Sequence, residues 1–291
     1  MWLDATRSNF VDWSTQRWVQ ATGRRISLGD HRWLDGPIGR PAGIGANVFA
    51  DYAARHNLQI SEKQPCGLLP DFSALRGPHF NPAAIAPAVV EFYERTSEYE
   101  IDTWSQWTGP FRPFGRALAA IFSRRLQQLN VPLSGLDTSL GMTTDVKAVV
   151  NPARGNVLYA AWVRSLAKSG DVIYAGAYSV CQPPNYPGPC VRVVFPLPNG
   201  NAIVIMRPSA GPDGSLKLVS AGRHFGDPGF YFTVHGSNGT VWARYLRTMR
   251  ETIRVYAGSR GEVRADHTLT VWRRTFLRLH YRLRRGTKDY S

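Results

Sequence analysis

The chain has 291 residues, a formal net charge of +14 and 43% hydrophobic residues. This composition is rich enough in apolar residues for a packed core, which excludes a mainly disordered chain. No apolar run reaches the ~18 residues of a membrane-spanning helix, and the first residues lack the basic and apolar segments of a secretory signal. The sequence therefore predicts a cytoplasmic protein with no membrane span.

The positive charge is concentrated in the last fifth of the chain. Thirteen Arg or Lys residues follow position 240, against four Asp or Glu residues. Such an excess suits nucleic acid, an acidic carrier protein or an anionic surface as a partner. No helix-turn-helix, zinc-finger or RNA-stacking motif accompanies it, which argues against nucleic acid as a partner and leaves an acidic carrier protein as a candidate.

Residues 1–86 are predicted to form an irregular N-terminal region rich in aromatic residues, Pro and Gly. A short helix is predicted over 46–56, and the Pro-rich residues 65–87 are predicted to be an extended wrap or linker. Gly43 and Gly45 precede the short helix, but neither the dinucleotide fingerprint nor the Gly-Lys-Ser/Thr of a phosphate loop follows. We therefore interpret them as part of a turn.

Residues 87–142 are predicted to be a helical segment. One helix is expected over 88–96. A second is expected over 114–130, where apolar residues recur at spacings of three and four and place one apolar stripe against a core.

From residue 143 to 291 the hydrophobic period changes to two, which is typical of strands. Short, even spacing without long helices predicts antiparallel connections, and about ten strands favour a barrel or a strongly curled sheet. The expected fold class is α+β, with the N-terminal region packed on a lipocalin-like or START-like cup. Residues 240–250 could instead form a helix across one mouth of the sheet. The predicted strands are 143–150, 157–166, 171–181, 190–195, 201–207, 216–222, 229–235, 252–256, 262–272 and 276–283.

Several short stretches between residues 65 and 285 resemble a bacterial family, common in actinomycetes, whose members are mostly labelled hypothetical. The hairpin 261–283 also resembles the C-terminal domain of YndJ-type membrane proteins of bacilli. The resemblance supports the fold and implies no catalytic residue. The stretches are FYERT (92–96), DTWSQW (102–107), FSRRLQQLN (122–130), FGDPGFYF (225–232) and LHYRL (279–283).

The first group of candidate site residues faces the interior of the predicted sheet. Alternation puts His267 on the apolar face of its strand and Tyr281 on the apolar face of the next, so the two could meet inside. Tyr174 and Tyr178 share a face with valines and could offer hydroxyls to a cavity. A lone His on an apolar face is also a common hydrogen-bonded core residue, and that alternative stays open.

The second group lies in the loop 224–231, where His224, Asp227 and Tyr231 bring an acid–base set to a strand entrance. The alternative is that Asp227 only caps its own turn. Asp102 is a reserve acid. Arg207 ends an apolar strand and needs an acid or an anionic ligand, and Trp104 is a further candidate for substrate contact.

The cysteines predict no metal site and no disulfide scaffold. Cys66, Cys181 and Cys190 lack the CxxC spacing of tetrahedral sites. Cys181 and Cys190 bracket a stiff Pro-rich loop; a bridge, a shared ligand and two free thiols all stay open.

The predicted function is a cofactor-independent pocket protein that acts on a hydrophobic small molecule of bacterial secondary metabolism. Cyclase, isomerase and hydrolase chemistry are the candidates, with His224, Asp227, Tyr231, His267 and Asp102 as the acid–base groups. Arg207, Tyr174, Tyr178, Tyr281 and Trp104 are expected to contact the substrate. The alternatives are a carrier or sensor for a lipid-like ligand, and a basic patch that binds nucleic acid or an acidic carrier protein.

Overall fold

The computed structural model describes residues 10–39, 47–63, 66–108, 142–166, 170 and 172–286. Within these residues no helix is long and apolar enough to cross a membrane. The described residues form three helices, α1 (Phe10–Thr22), α2 (Val48–Arg55) and α3 (Pro87–Glu94), and the strands β1 (Arg24–Ile26), β2 (Gln59–Ser61), β3 (Tyr99–Trp107), β4 (Met142–Asn151), β5 (Asn156–Leu166), β6 (Val172–Cys181), β7 (Cys190–Leu197), β8 (Gly200–Ala210), β9 (Leu216–Ser220), β10 (Phe230–His235), β11 (Val241–Leu246), β12 (Met249–Ala257), β13 (Val263–Val271) and β14 (Arg274–Arg285).

These strands make one curled antiparallel sheet. Its main path runs β2-β4-β5-β6-β7-β8-β9-β12-β13-β14-β3, while β10 pairs with β8 and β11, and β11 pairs with β1. Residues 200–206 of β8 pair with β7, whereas residues 207–210 pair with β9. β8 thus passes from a first half of the sheet (β1, β2, β4–β8, β10, β11) to a second half (β9, β12–β14, β3). The sheet is curled and not closed.

The main core lies between the two halves of the sheet. Val191 and Val204 of the first half share one buried cluster with Leu218, Val255 and Val263 of the second. We call the sheet surface that lines this core the inner face. Because the halves face each other, alternate residues of both contribute to one interior.

The Pro-rich segment is part of this core and not a linker. Leu69, Phe72, Leu75 and Phe80 are each at most 5% exposed, and they pack with α3 against the inner face. Short 3-10 turns at Phe72–Leu75 and Pro82–Ala84 fold this segment. Asp71 caps the first turn, and Pro82 stands at the start of the second, where its missing N–H gives up no hydrogen bond.

The opposite surface of the first half, its outer face, is covered by the N-terminal region. Trp33 and Leu34 pack there together with Phe49 and Tyr52 of α2. β8 is therefore buried on both faces, as its doubly apolar sequence predicts: Ile203 and Ile205 lie in the outer cluster and Val204 in the inner one. The N-terminal region expected to be irregular contains α1, which packs on β10 and β11.

Most predicted elements are confirmed. All ten strands are present, as are helices close to 46–56 and 88–96. The alternative helix over 240–250 is wrong, because β11 and the start of β12 occupy it; Val241, Ala243 and Tyr245 are buried in turn, which is a period of two. β3 was not predicted. The expected helix 114–130 and the turn at Gly43 and Gly45 lie outside the described residues, and the division at residues 86 and 142 stays a prediction.

Candidate functional site

Polar side chains from six strands meet on the inner face, in a region that is otherwise apolar. They come from β3, β5, β6, β12, β13 and β14, so both halves of the sheet contribute. We call this group the inner polar cluster; its members are Thr103, Arg164, Tyr174, Tyr178, Glu251, His267 and Tyr281.

An acid–base pair lies at the centre of the cluster. Nε2 of His267 is 2.5 Å from Oε1 of Glu251, and the two side chains are 14% and 9% exposed. The strand register places Ile253 opposite His267, so Glu251 is the diagonal neighbour on the same face. The two atoms are in close contact, but Nε2 makes no aligned hydrogen bond within the described residues.

Tyr281 and Arg164 flank this pair. The Tyr281 ring stacks beside that of His267, with centroids 6.4 Å apart and planes at 24°. Nη2 of Arg164 donates to Oγ1 of Thr103 at 3.0 Å and to the carbonyl of Ile101 at 3.2 Å, which ties β5 to β3 across the interior. Burial raises the pKa of Tyr281 to about 12, although nearby Arg164 acts to lower it. Burial also lowers the pKa of the Arg164 guanidinium.

Two tyrosines of β6 form the wall opposite. The hydroxyls of Tyr174 and Tyr178 are 2.8 Å apart, and Trp162 packs on both rings. Burial is the main reason that the pKa of each tyrosine is raised, so both are neutral donors at physiological pH. A Cβ at Gly176 between them would lie 2.8 Å from the Tyr174 hydroxyl, so a larger residue there would force the Tyr174 ring to move.

The cluster borders on accessible space. Tyr174, Tyr178 and Tyr281 keep partly exposed surface although protein encloses them. The indole N–H of Trp162 is buried and has no hydrogen-bond partner among the described residues. Buried polar groups are nearly always hydrogen-bonded, so such a donor beside a space calls for an explanation, and a bound molecule or ordered water provides one.

Within the described residues no three His, Cys, Asp or Glu side chains are grouped closely enough to hold a metal ion. The groups that could hold a ligand oxygen are the Trp162 N–H, the Arg164 guanidinium and the Tyr281 hydroxyl.

Asp102 and Trp104 lie on the opposite surface of β3, because neighbours of Thr103 along a strand point the other way. Asp102 Oδ2 accepts hydrogen bonds from Nη2 of Arg282 at 2.8 Å and of Arg284 at 3.3 Å. Trp104 is 51% exposed and lies under the Arg282 guanidinium. The structure thus separates both from the inner polar cluster.

The loop 224–231 is also remote from the cluster, since Tyr231 packs against Trp33 on the outer face. Its hydroxyl donates to the carbonyl of Asp227 and accepts from the N–H of Gly226. Asp227 accepts hydrogen bonds from the backbone N–H of Arg223 and His224. His224 is exposed. These contacts give Asp227 the turn-capping role that the alternative interpretation assigned to it.

Replacing Asp227 with Asn is expected to reduce the free energy of unfolding by about 1–2 kcal/mol at neutral pH, because charged hydrogen bonds in the turn are lost. Burial acts to raise the pKa of Asp227, but hydrogen bonds from Arg223, His224 and Asn185 outweigh it and the pKa lies below its usual 3.8. The carboxylate therefore stabilises the fold above pH 3.8, and the contribution disappears as the pH falls through the lowered pKa.

Urea unfolding of the wild type and Asp227→Asn across this pH range tests the point. We expect the difference between them to shrink on acidification. A difference that is constant with pH, or that grows in acid, contradicts the capping role.

Arg207 and the cysteine pair are placed away from the inner polar cluster. Arg207 is exposed at the point where β8 changes partners, so it needs no buried acid.

Cys181 and Cys190 are direct partners across β6 and β7 and are free thiols. Burial raises the pKa of Cys181 to about 11, which keeps that thiol protonated at neutral pH.

The sequence predicted four members of the inner polar cluster: His267, Tyr281, Tyr174 and Tyr178. It did not predict Thr103, Glu251 and Arg164, or Trp162, whose indole packs on the two tyrosines of β6. A signal for Arg164 was present: it shares its face of β5 with Trp162, so alternation turns a charged residue inward. Glu251 lies just before the predicted strand 252–256, whereas the observed β12 begins at Met249 and so includes it.

Comparison with known proteins identifies a relative from a bacillus. Over 243 residues the chain is 30% identical to the "Uncharacterized membrane protein YndJ" of Bacillus subtilis (strain 168). This chain is similar to a YndJ-type protein. The predicted resemblance is confirmed, and it extends well beyond the hairpin 261–283, to 82% of the chain. The chain spans 41% of the length of that relative. No family model and no solved structure matches the chain.

Proposed function

We propose that the chain binds a small, mainly apolar molecule inside the curled sheet and catalyses a proton transfer on it without a cofactor. The observation that carries the proposal is the Glu251–His267 pair, enclosed between two sheet halves and bordered by accessible space. A buried carboxylate and imidazole in contact are costly to retain without a use, because the interior favours apolar replacements.

The walls around the pair suit a ligand with an apolar body and one oxygen-containing head group. Trp162, Phe195 and Ile253 supply apolar surface next to the cluster. Arg164, the Trp162 N–H and the Tyr281 hydroxyl supply donors for the oxygen. A few convergent polar groups in an apolar cavity are the usual composition of a small-molecule site.

The chemistry follows from the same arrangement. With Nε2 facing Glu251, Nδ1 of His267 is the ring nitrogen that exchanges a proton with the ligand, and Glu251 stabilises the imidazolium that forms. Removing a proton next to a carbonyl leaves negative charge on the ligand oxygen, which Arg164 and Tyr281 stabilise. Return of the proton at another carbon gives an isomerisation. In a cyclisation the enolate carbon attacks a second carbonyl of the same ligand, the π bond of that carbonyl opens, and His267 returns the proton to the alkoxide oxygen that forms.

A carrier or sensor that binds the same ligand without turnover is the second candidate, and the enclosed apolar wall formed by Trp162, Tyr174 and Phe195 favours it. Four expectations stay predictions: a lipocalin-like or START-like cup, a role in secondary metabolism, a cytoplasmic location and an acidic carrier protein as partner.

Binding is tested with 8-anilinonaphthalene-1-sulfonate, a fluorescent probe that joins an apolar body to one anionic group. Replacing Arg164 with Met is expected to weaken probe binding by roughly 10- to 100-fold, because a charged hydrogen bond to the sulfonate is lost. Arg192→Met is the matched control. Arg192 is as buried as Arg164 and lies on the outer face of the same sheet half, bonded to Ser179 and to the carbonyl of Arg32.

The control variant should lose stability to a similar extent and keep the affinity of the wild type. Equal weakening by both substitutions, or no weakening by Arg164→Met, contradicts a site at the inner polar cluster.

A further inference from the structure

The turn that joins β13 to β14 carries the most exposed large hydrophobic side chain of the described residues. Trp272 is 71% exposed, against 51% for Trp104. Its backbone N–H bonds to the carbonyl of Thr248, which brings the turn after β11 alongside. Both turns therefore project together from one end of the second sheet half.

The backbone of this turn is one that its residues disfavour. Trp272 and Arg273 have φ of 46° and 66°, the left-handed values that two-residue hairpin turns use. Asn-Gly is the preferred pair for such a turn, and a bulky residue with positive φ is an outlier that is retained where it serves a function. The sequence thus keeps a Trp and an Arg where folding alone favours Asn and Gly.

Four arginines lie in or next to these two turns. Arg247, Arg250, Arg273 and Arg274 are all exposed, and none forms an ion pair within the part of the chain that the structure describes. Elsewhere on the same sheet half Arg254, Arg264 and Arg282 form ion pairs with Asp213, Glu262 and Asp102, whereas Arg278 of β14 is exposed and forms none with the described residues. We call Arg247, Arg250, Trp272, Arg273 and Arg274 the Trp272 tip.

We infer that the Trp272 tip docks the protein onto an anionic lipid surface. Trp side chains favour the interface between water and lipid, where the ring meets acyl chains and the indole N–H meets head groups. Basic residues next to an anionic leaflet add attraction that salt screens. A single Trp on a convex turn suits a lipid surface better than single-stranded nucleic acid, which is bound in grooves with several stacking aromatic rings.

Co-sedimentation with phosphatidylcholine vesicles, with and without phosphatidylserine, tests the inference. The wild type should bind the vesicles that contain phosphatidylserine and release them as salt is raised. Replacing Trp272 with Asn together with Arg273 with Gly should lower binding at least about tenfold, since an interfacial Trp and one charge are lost. The same change should raise the melting temperature, because it relieves the turn, so lost binding cannot be attributed to unfolding.

Two further variants sharpen the result. Arg274→Gln should weaken binding by about fivefold, as expected for one basic residue near an anionic surface. Trp104→Ser removes an exposed Trp from β3 and should leave vesicle binding unchanged. The inference is overturned if the Asn-Gly variant binds like the wild type, or if the wild type binds single-stranded RNA oligonucleotides but not the anionic vesicles.

Discussion

Replacing His267 with Asn is expected to lower the rate of proton transfer by about 10²–10⁴-fold, the usual loss when a general base is removed. Asn keeps much of the volume and carries an amide N–H that can donate to Glu251, so affinity for the ligand should change only slightly. The rate is measured by NMR as the loss of carbon-bound hydrogen next to the carbonyl, in deuterated water, over a panel of hydrophobic ketones.

The chain contains a matched control for this substitution. His280 and Asp266 form a second acid–base pair, 2.7 Å apart, on the opposite face of β13 and β14. His280→Asn should leave the exchange rate unchanged. Equal losses in both variants would contradict catalysis by His267, and a wild type that binds the ketones without exchanging their hydrogens would identify a carrier.

Replacing Phe72 with Ala is expected to reduce the free energy of unfolding by about 3–5 kcal/mol, the usual cost of truncating a buried aromatic residue. Phe72 is 1% exposed, and its ring packs against Phe80 and Tyr93. The large effect follows because the Pro-rich segment fills the core between the sheet halves. Urea unfolding monitored by circular dichroism measures it.

The exposed neighbour provides the comparison, since Ser73→Ala changes a solvent-facing side chain of the same 3-10 turn. Its effect should stay within about 0.5 kcal/mol. A loss of less than about 1 kcal/mol in Phe72→Ala would mean that the Pro-rich segment is an extended wrap or linker, as the sequence alone predicts, and not part of the core.

The fold was largely predictable because apolar residues recur at every second position along a strand with one buried face. That pattern is visible in the local sequence and does not depend on distant partners. β3 shows where this fails. Its alternation is clear once burial is known, with Tyr99, Ile101 and Thr103 inward. In the sequence, however, the run mixes two Trp with polar residues between predicted helices, and only pairing with β14 fixes it as a strand.

The sequence predicts which side chains of a single strand face the interior, but not which strands bring their side chains together at the site. Alternation turned His267 and Tyr281 inward, and their strands are joined by a short turn, so their meeting could be expected. Arg164 reaches the same place only because β8 carries the chain from one sheet half to the other, and pairing between distant strands is not encoded locally. The loop 224–231 looked functional because turn-forming residues and acid–base residues coincide there.

A crystal structure with 8-anilinonaphthalene-1-sulfonate bound tests the central claim most directly. If the inner polar cluster is the ligand site, electron density for the aromatic rings of the probe should lie between Trp162 and Tyr281, with the sulfonate in contact with Arg164. Density confined to the loop 224–231 or to the Trp272 tip, with the cluster closed over by its own side chains, would contradict it.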